Sequence, residues 1–121
     1  METDHINNLF LSGVDAYNAK SFYDAHEYWE DLWSDYKISD PEFVQGMIQL
    51  EVAYFHITNS NKKGAISLFN KSLSKLENNI STSRITNLPK IIDSIINARD
   101  FLELCDDIHQ FNWDMMIKIK V

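Results

Sequence analysis

The stretch from Pro41 to about Thr58 constrains the fold more than any other part of the chain. Read as a helix it is apolar nearly all round, through Phe43, Val44, Met47, Ile48, Leu50, Val52, Ala53, Tyr54, Phe55 and Ile57. A helix without a broad polar face has to be covered on most sides by other elements. Its start is marked by Asp40, a good N-cap, and by Pro41, which is pre-shaped for a first helical turn. The chain must therefore supply further helices to surround it. Two prolines and three glycines in 121 residues leave room for long ordered elements and one core.

Four more segments carry helical periodicity. From about Asp4 to Asn18, the positions Ile6, Leu9, Phe10, Gly13, Val14 and Tyr17 form one stripe. After the short link Ala19-Lys20, a second helix runs from Phe22 to Tyr36, with Ser21 as N-cap and Asp24 at the capping-box position. So short a link makes the first pair an antiparallel hairpin. A fourth helix follows Asn59-Ser60-Asn61, with Ala65, Ile66, Phe69, Leu73 and Leu76 on its apolar face. Residues 78–87 are rich in Ser, Thr and Asn and read as a loop. The fifth helix begins near Asn87, with Pro89 in its first turn, and carries Leu88, Ile91, Ile92, Ile95, Ile96, Leu102 and Cys105. In the tail, Trp113, Met115, Ile117, Ile119 and Val121 alternate with polar or flexible residues, a period of two. Without a partner strand in the chain, this tail is expected to be an extended arm over the bundle. Gly46 leaves space for a neighbouring helix to approach the third. Gly13, Ala25 and Trp29 are echoed forty positions later by Ala53, Ala65 and Phe69, a weak sign of two similar hairpins.

The formal net charge of −7 disfavours nucleic acid and anionic membrane surfaces as partners. No apolar run approaches the roughly 20 residues of a membrane span, and the acidic start Met1-Glu2-Thr3-Asp4 is unlike a secretory leader. Cys105 is the only cysteine, so an internal disulfide and a cysteine-based zinc site are both excluded; it reads as a small core residue. These features point to a reducing, cytoplasmic setting.

The second helix holds the chemistry. At about 100° per residue, Phe22, Ala25, Trp29, Leu32, Trp33 and Tyr36 share its apolar face. His26 falls inside that arc and Glu30 lies at its edge one turn on. On the third helix Gln45, Gln49 and His56 fall within roughly 40° of one another, whereas Glu51 points elsewhere and is expected at the surface. If the two polar stripes face each other, His26, Glu30, Gln45, Gln49 and His56 form a cluster walled by Trp29 and Trp33, with Tyr23 and Tyr54 nearby. Three readings of that cluster compete. It is a structural network, or a divalent-metal site with His26, Glu30 and His56 as ligands. The third is a pocket for a small polar ligand bounded by Trp29, Trp33, Gln45 and Gln49. His26-Glu27 does not extend to a metalloprotease motif, because Glu30 stands where that motif needs its second histidine. The lone Asp106-x-x-His109 does not make a di-iron bundle. No phosphate loop, nucleophile elbow or paired-carboxylate cleft is present, so no reaction class is selected.

His26-x-x-x-Glu30-x-x-Trp33 resembles the signature of domain-of-unknown-function family 309. Tyr17-Asn18, Phe22-Tyr23 and Ala25-His26-Glu27 are similar to that family's first block. Phe43-x-Gln45-Gly46-x-Ile48-Gln49-Leu50 with His56 is similar to its second block, and Asn61-x-x-Gly64-Ala65 to its third. The resemblance spans about Leu9 to Leu76. It implies an all-helical fold and metal binding at the His/Glu/Trp motif. Two positions depart from it: Asp24 stands where the family usually has Glu, and Glu51 where it usually has a small apolar residue.

The expectation is a single all-α domain over residues 1–121, a bundle of about five helices built from antiparallel hairpins with a short extended C-terminal arm. Its function is expected to be binding of a divalent metal ion or a small polar ligand at the His26/Glu30/Trp33 motif. The alternative is a helical-hairpin interaction module, its polar cluster purely structural, that docks a protein partner. Self-association is left open.

Overall fold

The computed structural model describes residues 2–121. Five helices follow one another: α1 (Glu2–Asn18), α2 (Phe22–Asp35), α3 (Pro41–Thr58), α4 (Lys62–Glu77) and α5 (Leu88–Leu104). Each packs chiefly on its neighbour in sequence, and α3 with α4 makes the most extensive contact. The expected all-helical bundle forms, with no strand among the described residues. Among them, too, no helix is long and apolar enough to cross a membrane.

The all-round apolarity of α3 places it at the centre. Phe43, Val44, Met47, Leu50, Ala53 and Tyr54 expose no surface. Tyr54 meets Phe69 of α4 edge-on at 5.0 Å between ring centres and stacks on Phe22 of α2 at 6.2 Å. Gly46 is where α4 comes close: an added Cβ would stand 3.0 Å from Leu76 and 3.1 Å from Lys75. The Ser72 hydroxyl of α4 donates to the Gly46 carbonyl at 2.8 Å across that contact.

The hairpins α1–α2 and α3–α4 share one turn. In the first, the amides of Ala19, Lys20 and Ser21 donate to the carbonyls of Asp15, Tyr17 and Ala16. Forty positions on, Asn59, Ser60 and Asn61 donate to Phe55, Ile57 and His56 in the same pattern. Lys20 and Ser60 both adopt the left-handed region, at φ of 61° and 58°. The faint echo of small and aromatic residues is thus a repeat of local geometry as well.

Inside the first hairpin Trp29 is fully buried, and its indole N–H donates to the Phe10 carbonyl at 3.1 Å. The ring lies where the side chain of residue 13 would be, since a Cβ on Gly13 would stand 2.0 Å from Trp29 Nε1. At the equivalent positions of the second hairpin, Ala53 accompanies the smaller Phe69.

The tail departs from simple alternation. It turns through two short 3-10 segments, Ile108–Gln110 and Trp113–Met115, before crossing the bundle as an arm. Ile119 is buried, whereas Val121 is 62 % exposed. The arm has no partner strand, and two asparagine amides serve in its place. Asn18 donates to the Ile119 carbonyl and accepts from the Ile119 amide, at 3.0 and 2.8 Å. Asn87 donates to the Lys118 carbonyl and accepts from the Lys120 amide, at 2.9 and 3.0 Å.

Replacing Gly13 by Ala forces either the indole or α1 to move, and overpacking of this kind costs about 3 kcal/mol. Urea unfolding of Gly13→Ala should show a markedly lower midpoint than wild type; an unchanged midpoint would mean that the two helices can separate without loss.

Candidate functional site

The orientation of α2 follows from its buried residues. Ala25, Trp29 and Leu32 expose no surface and turn one side of the helix fully inward. His26 and Glu30 lie beside that side, on the flank next to α3, with the exposed Trp33 on the same flank. The His26 side chain is 38 % exposed and that of Glu30 45 %.

The group that meets His26 from α3 is Glu51. Its side chain is 2 % exposed, and Oε2 lies 3.0 Å from His26 Nδ1. The other ring nitrogen, Nε2, faces the Glu30 carboxylate at 4.0 Å. The imidazole is therefore held from within by one carboxylate and flanked at the surface by a second. This corrects the expectation that Glu51 lies at the surface. Its helical neighbours Met47, Ile48, Tyr54 and Phe55 are all apolar, so a lone acid surrounded at i±3 and i±4 by large apolar side chains was the available signal.

The expected opposition of the two polar stripes does not form. Gln45 and Gln49 are half-buried, and the Gln49 side-chain carbonyl is buried with no hydrogen-bond partner. His56 is engaged at the α3–α4 turn, with Nδ1 3.3 Å from the Asn61 side-chain nitrogen. The reason is angular. Glu51 sits more than about 100° around the α3 axis from each of Gln45, Gln49 and His56, and a helix that turns Glu51 toward α2 turns the other three away. Trp29 is committed to the core and to the Phe10 carbonyl; only Trp33, 39 % exposed, is available at the surface.

Burial pushes the Glu51 carboxyl up to about 7, and the hydrogen bond and charge of His26 draw it part of the way back. Deeper inside, burial raises the Tyr17 hydroxyl as well, with Tyr54 and Glu51 adding to the effect. The Tyr54 hydroxyl, although those of Tyr17 and Ser94 are near, makes no hydrogen bond of good geometry. A polar seam thus runs from the surface at Glu30 through His26 and Glu51 toward the tyrosines.

Among the described residues no three His, Cys, Asp or Glu side chains converge on one point to hold an ion. Glu51 takes the ring nitrogen opposite the one that faces Glu30, so the pair His26 and Glu30 alone addresses the surface. A cleft of about 650 Å³ lies elsewhere, between α1, the start of α3 and the 78–84 loop.

The family model described as Domain of unknown function (DUF309) matches residues 10–68, a span that holds His26, Glu30, Trp33 and Glu51. No curated protein and no solved structure matches the chain.

A glutamate that keeps its proton to higher pH when folded makes the folded chain bind more protons than the unfolded one between about pH 4.5 and 7. Stability should fall as pH rises through that window and level off above it. The shift corresponds to at most about 3 kcal/mol. In chelator-treated protein, urea unfolding at about pH 5 and pH 8 should show this loss in wild type and not in Glu51→Gln, whose side chain cannot ionise. Equal pH profiles would show that Glu51 is ionised throughout.

Proposed function

The match of residues 10–68 to the model of domain-of-unknown-function family 309 is the premise, and on it we propose that His26 and Glu30 bind a divalent transition-metal ion at the surface of α2. The observation that carries this reading is the buried carboxylate of Glu51 on His26 Nδ1. A carboxylate accepting the Nδ1 proton fixes the imidazole tautomer, holds the ring and makes Nε2 a better donor to a metal. Nε2 is the nitrogen turned toward Glu30. Imidazole and carboxylate together suit zinc, iron, nickel or copper. Their i, i+4 spacing on one helix flank brings both to the same side with little rearrangement.

Two protein ligands leave positions open, where a bound ion would act as a Lewis acid toward water or a carbonyl oxygen. Glu51 stays outside the coordination sphere and orients. Trp33 lies alongside and limits the approach of solvent from one side. Gln45, Gln49 and His56 take no part. The acidic balance and the lone Cys105 fit a reducing, cytoplasmic setting for such a protein.

A second reading, docking of a protein partner, draws on the exposed aromatics beside the pair. Tyr23 is 69 % exposed, Trp33 39 % and, on α3, Phe55 40 %. In that case the His26–Glu51 pair is scaffold and metal plays no role.

Titration calorimetry of the chelator-treated protein with zinc and with cobalt separates the two. One equivalent per chain should bind with a Kd of about 0.1 mM or tighter. His26→Ala should abolish binding, and Glu51→Gln should weaken it about 10- to 100-fold with the helical circular dichroism unchanged. A wild type that takes up no ion, or binding indifferent to His26 and Glu30, rejects the metal reading.

A further inference from the structure

We propose that the cleft between α1, the Ser39-Asp40 link and the loop before α5 is a second binding site, for a neutral polyhydroxylated small molecule of about monosaccharide to disaccharide size. Its volume of about 650 Å³ lies within the range of small-molecule sites. It is far larger than a single ordered water needs.

The walls are preformed. Arg84 reaches back to Asp40 with two parallel hydrogen bonds, Nε to Oδ2 at 2.6 Å and the terminal nitrogen to Oδ1 at 3.0 Å. The same guanidinium lies 5.2 Å from the centre of the Phe10 ring. Asn79 donates to the Glu42 carboxylate and to the Lys75 carbonyl, at 2.9 and 2.7 Å. The Arg84 amide donates to the Thr82 hydroxyl at 3.2 Å. These contacts tie the loop to the start of α3 and to α1, so little order remains to be imposed on binding. Asp40, at the N-cap of α3, makes no side-chain cap bond, its carboxylate being committed to Arg84 instead.

The chemistry of the walls selects the ligand. Among the described residues, Asp40 and Arg84 are the only charged ones lining the cleft. Their side chains are 25 % and 17 % exposed and they neutralise each other. A charged ligand would meet a pair that is already neutralised and would find no uncompensated opposite charge to balance its own. What the cleft offers instead is a set of short hydroxyls and amides from Asn7, Ser39, Asn78, Ser81 and Ser83. Each can donate and accept. Leu11, 40 % exposed, adds an apolar surface at the rim. Multiple two-way hydrogen bonds, no net charge and one apolar edge match a sugar or related polyol better than an anion, a cation or a hydrocarbon.

Nitrogen–proton correlation spectra of the full chain, titrated with glucose, maltose and glucose 6-phosphate, test the proposal. At least one neutral sugar should give saturable shifts centred on the amides of Ser39 and Ser81 to Arg84. Glucose 6-phosphate should bind at least about tenfold more weakly, because its charge is uncompensated. Ser83→Trp, a change at an exposed loop position that fills the cleft, should remove the response while leaving the remaining spectrum in place. No saturable shift from either neutral sugar up to about 50 mM overturns the proposal. So does a response to glucose 6-phosphate as strong as to the neutral sugars, or shifts that survive the filling substitution.

Discussion

The contact between the Trp29 indole and the backbone at Gly13 governs the geometry of the first hairpin and much that follows. The indole occupies the space a Cβ would need at position 13, and its N–H is satisfied by the Phe10 carbonyl. A fully buried tryptophan whose one polar atom has a partner adds apolar burial without an unpaired donor. It also fixes the rotation of α2 about its own axis. With Trp29, Ala25 and Leu32 facing inward, His26 has no choice but the edge of the buried face, where α3 runs alongside. The candidate site is thus a consequence of where a core tryptophan sits.

That edge position explains how the chain tolerates a glutamate in the most apolar helix it has. Glu51 is taken out of water by α3 being central, and an unpaired buried carboxylate would be costly. His26 supplies the partner from the neighbouring helix. The arrangement remains in tension, since burial raises the carboxyl toward neutrality while the imidazole favours its charged form.

The repeated hairpin turn shows how much one local solution accounts for. The same three backbone hydrogen bonds and the same left-handed residue close α1–α2 and α3–α4. A small residue on the first helix and an aromatic on the second recur at corresponding positions, Gly13 and Trp29, then Ala53 and Phe69. The last connection between helices breaks the pattern. Between α4 and α5 the chain takes a longer polar loop, held by Arg84 to Asp40, and a cleft opens where a short turn would have closed the surface.

Helix number, approximate boundaries and the central place of α3 were legible in the amino-acid order, because period and apolar width are local properties of each segment. The place of His26 beside the buried face of α2, with Glu30 one turn on, was legible for the same reason, as was the close approach at Gly46. The partner of His26 was not. Periodicity states which residues of α3 share a face and says nothing about which face meets α2. Glu51 and the stripe of Gln45, Gln49 and His56 point in different directions, and only one could be turned toward the histidine. The packing of α4 against the Gly46 side of α3, together with the rotation of α2 set by Trp29, decided for Glu51. That choice depends on contacts between residues 25 positions apart, and such contacts exist only once the helices are assembled.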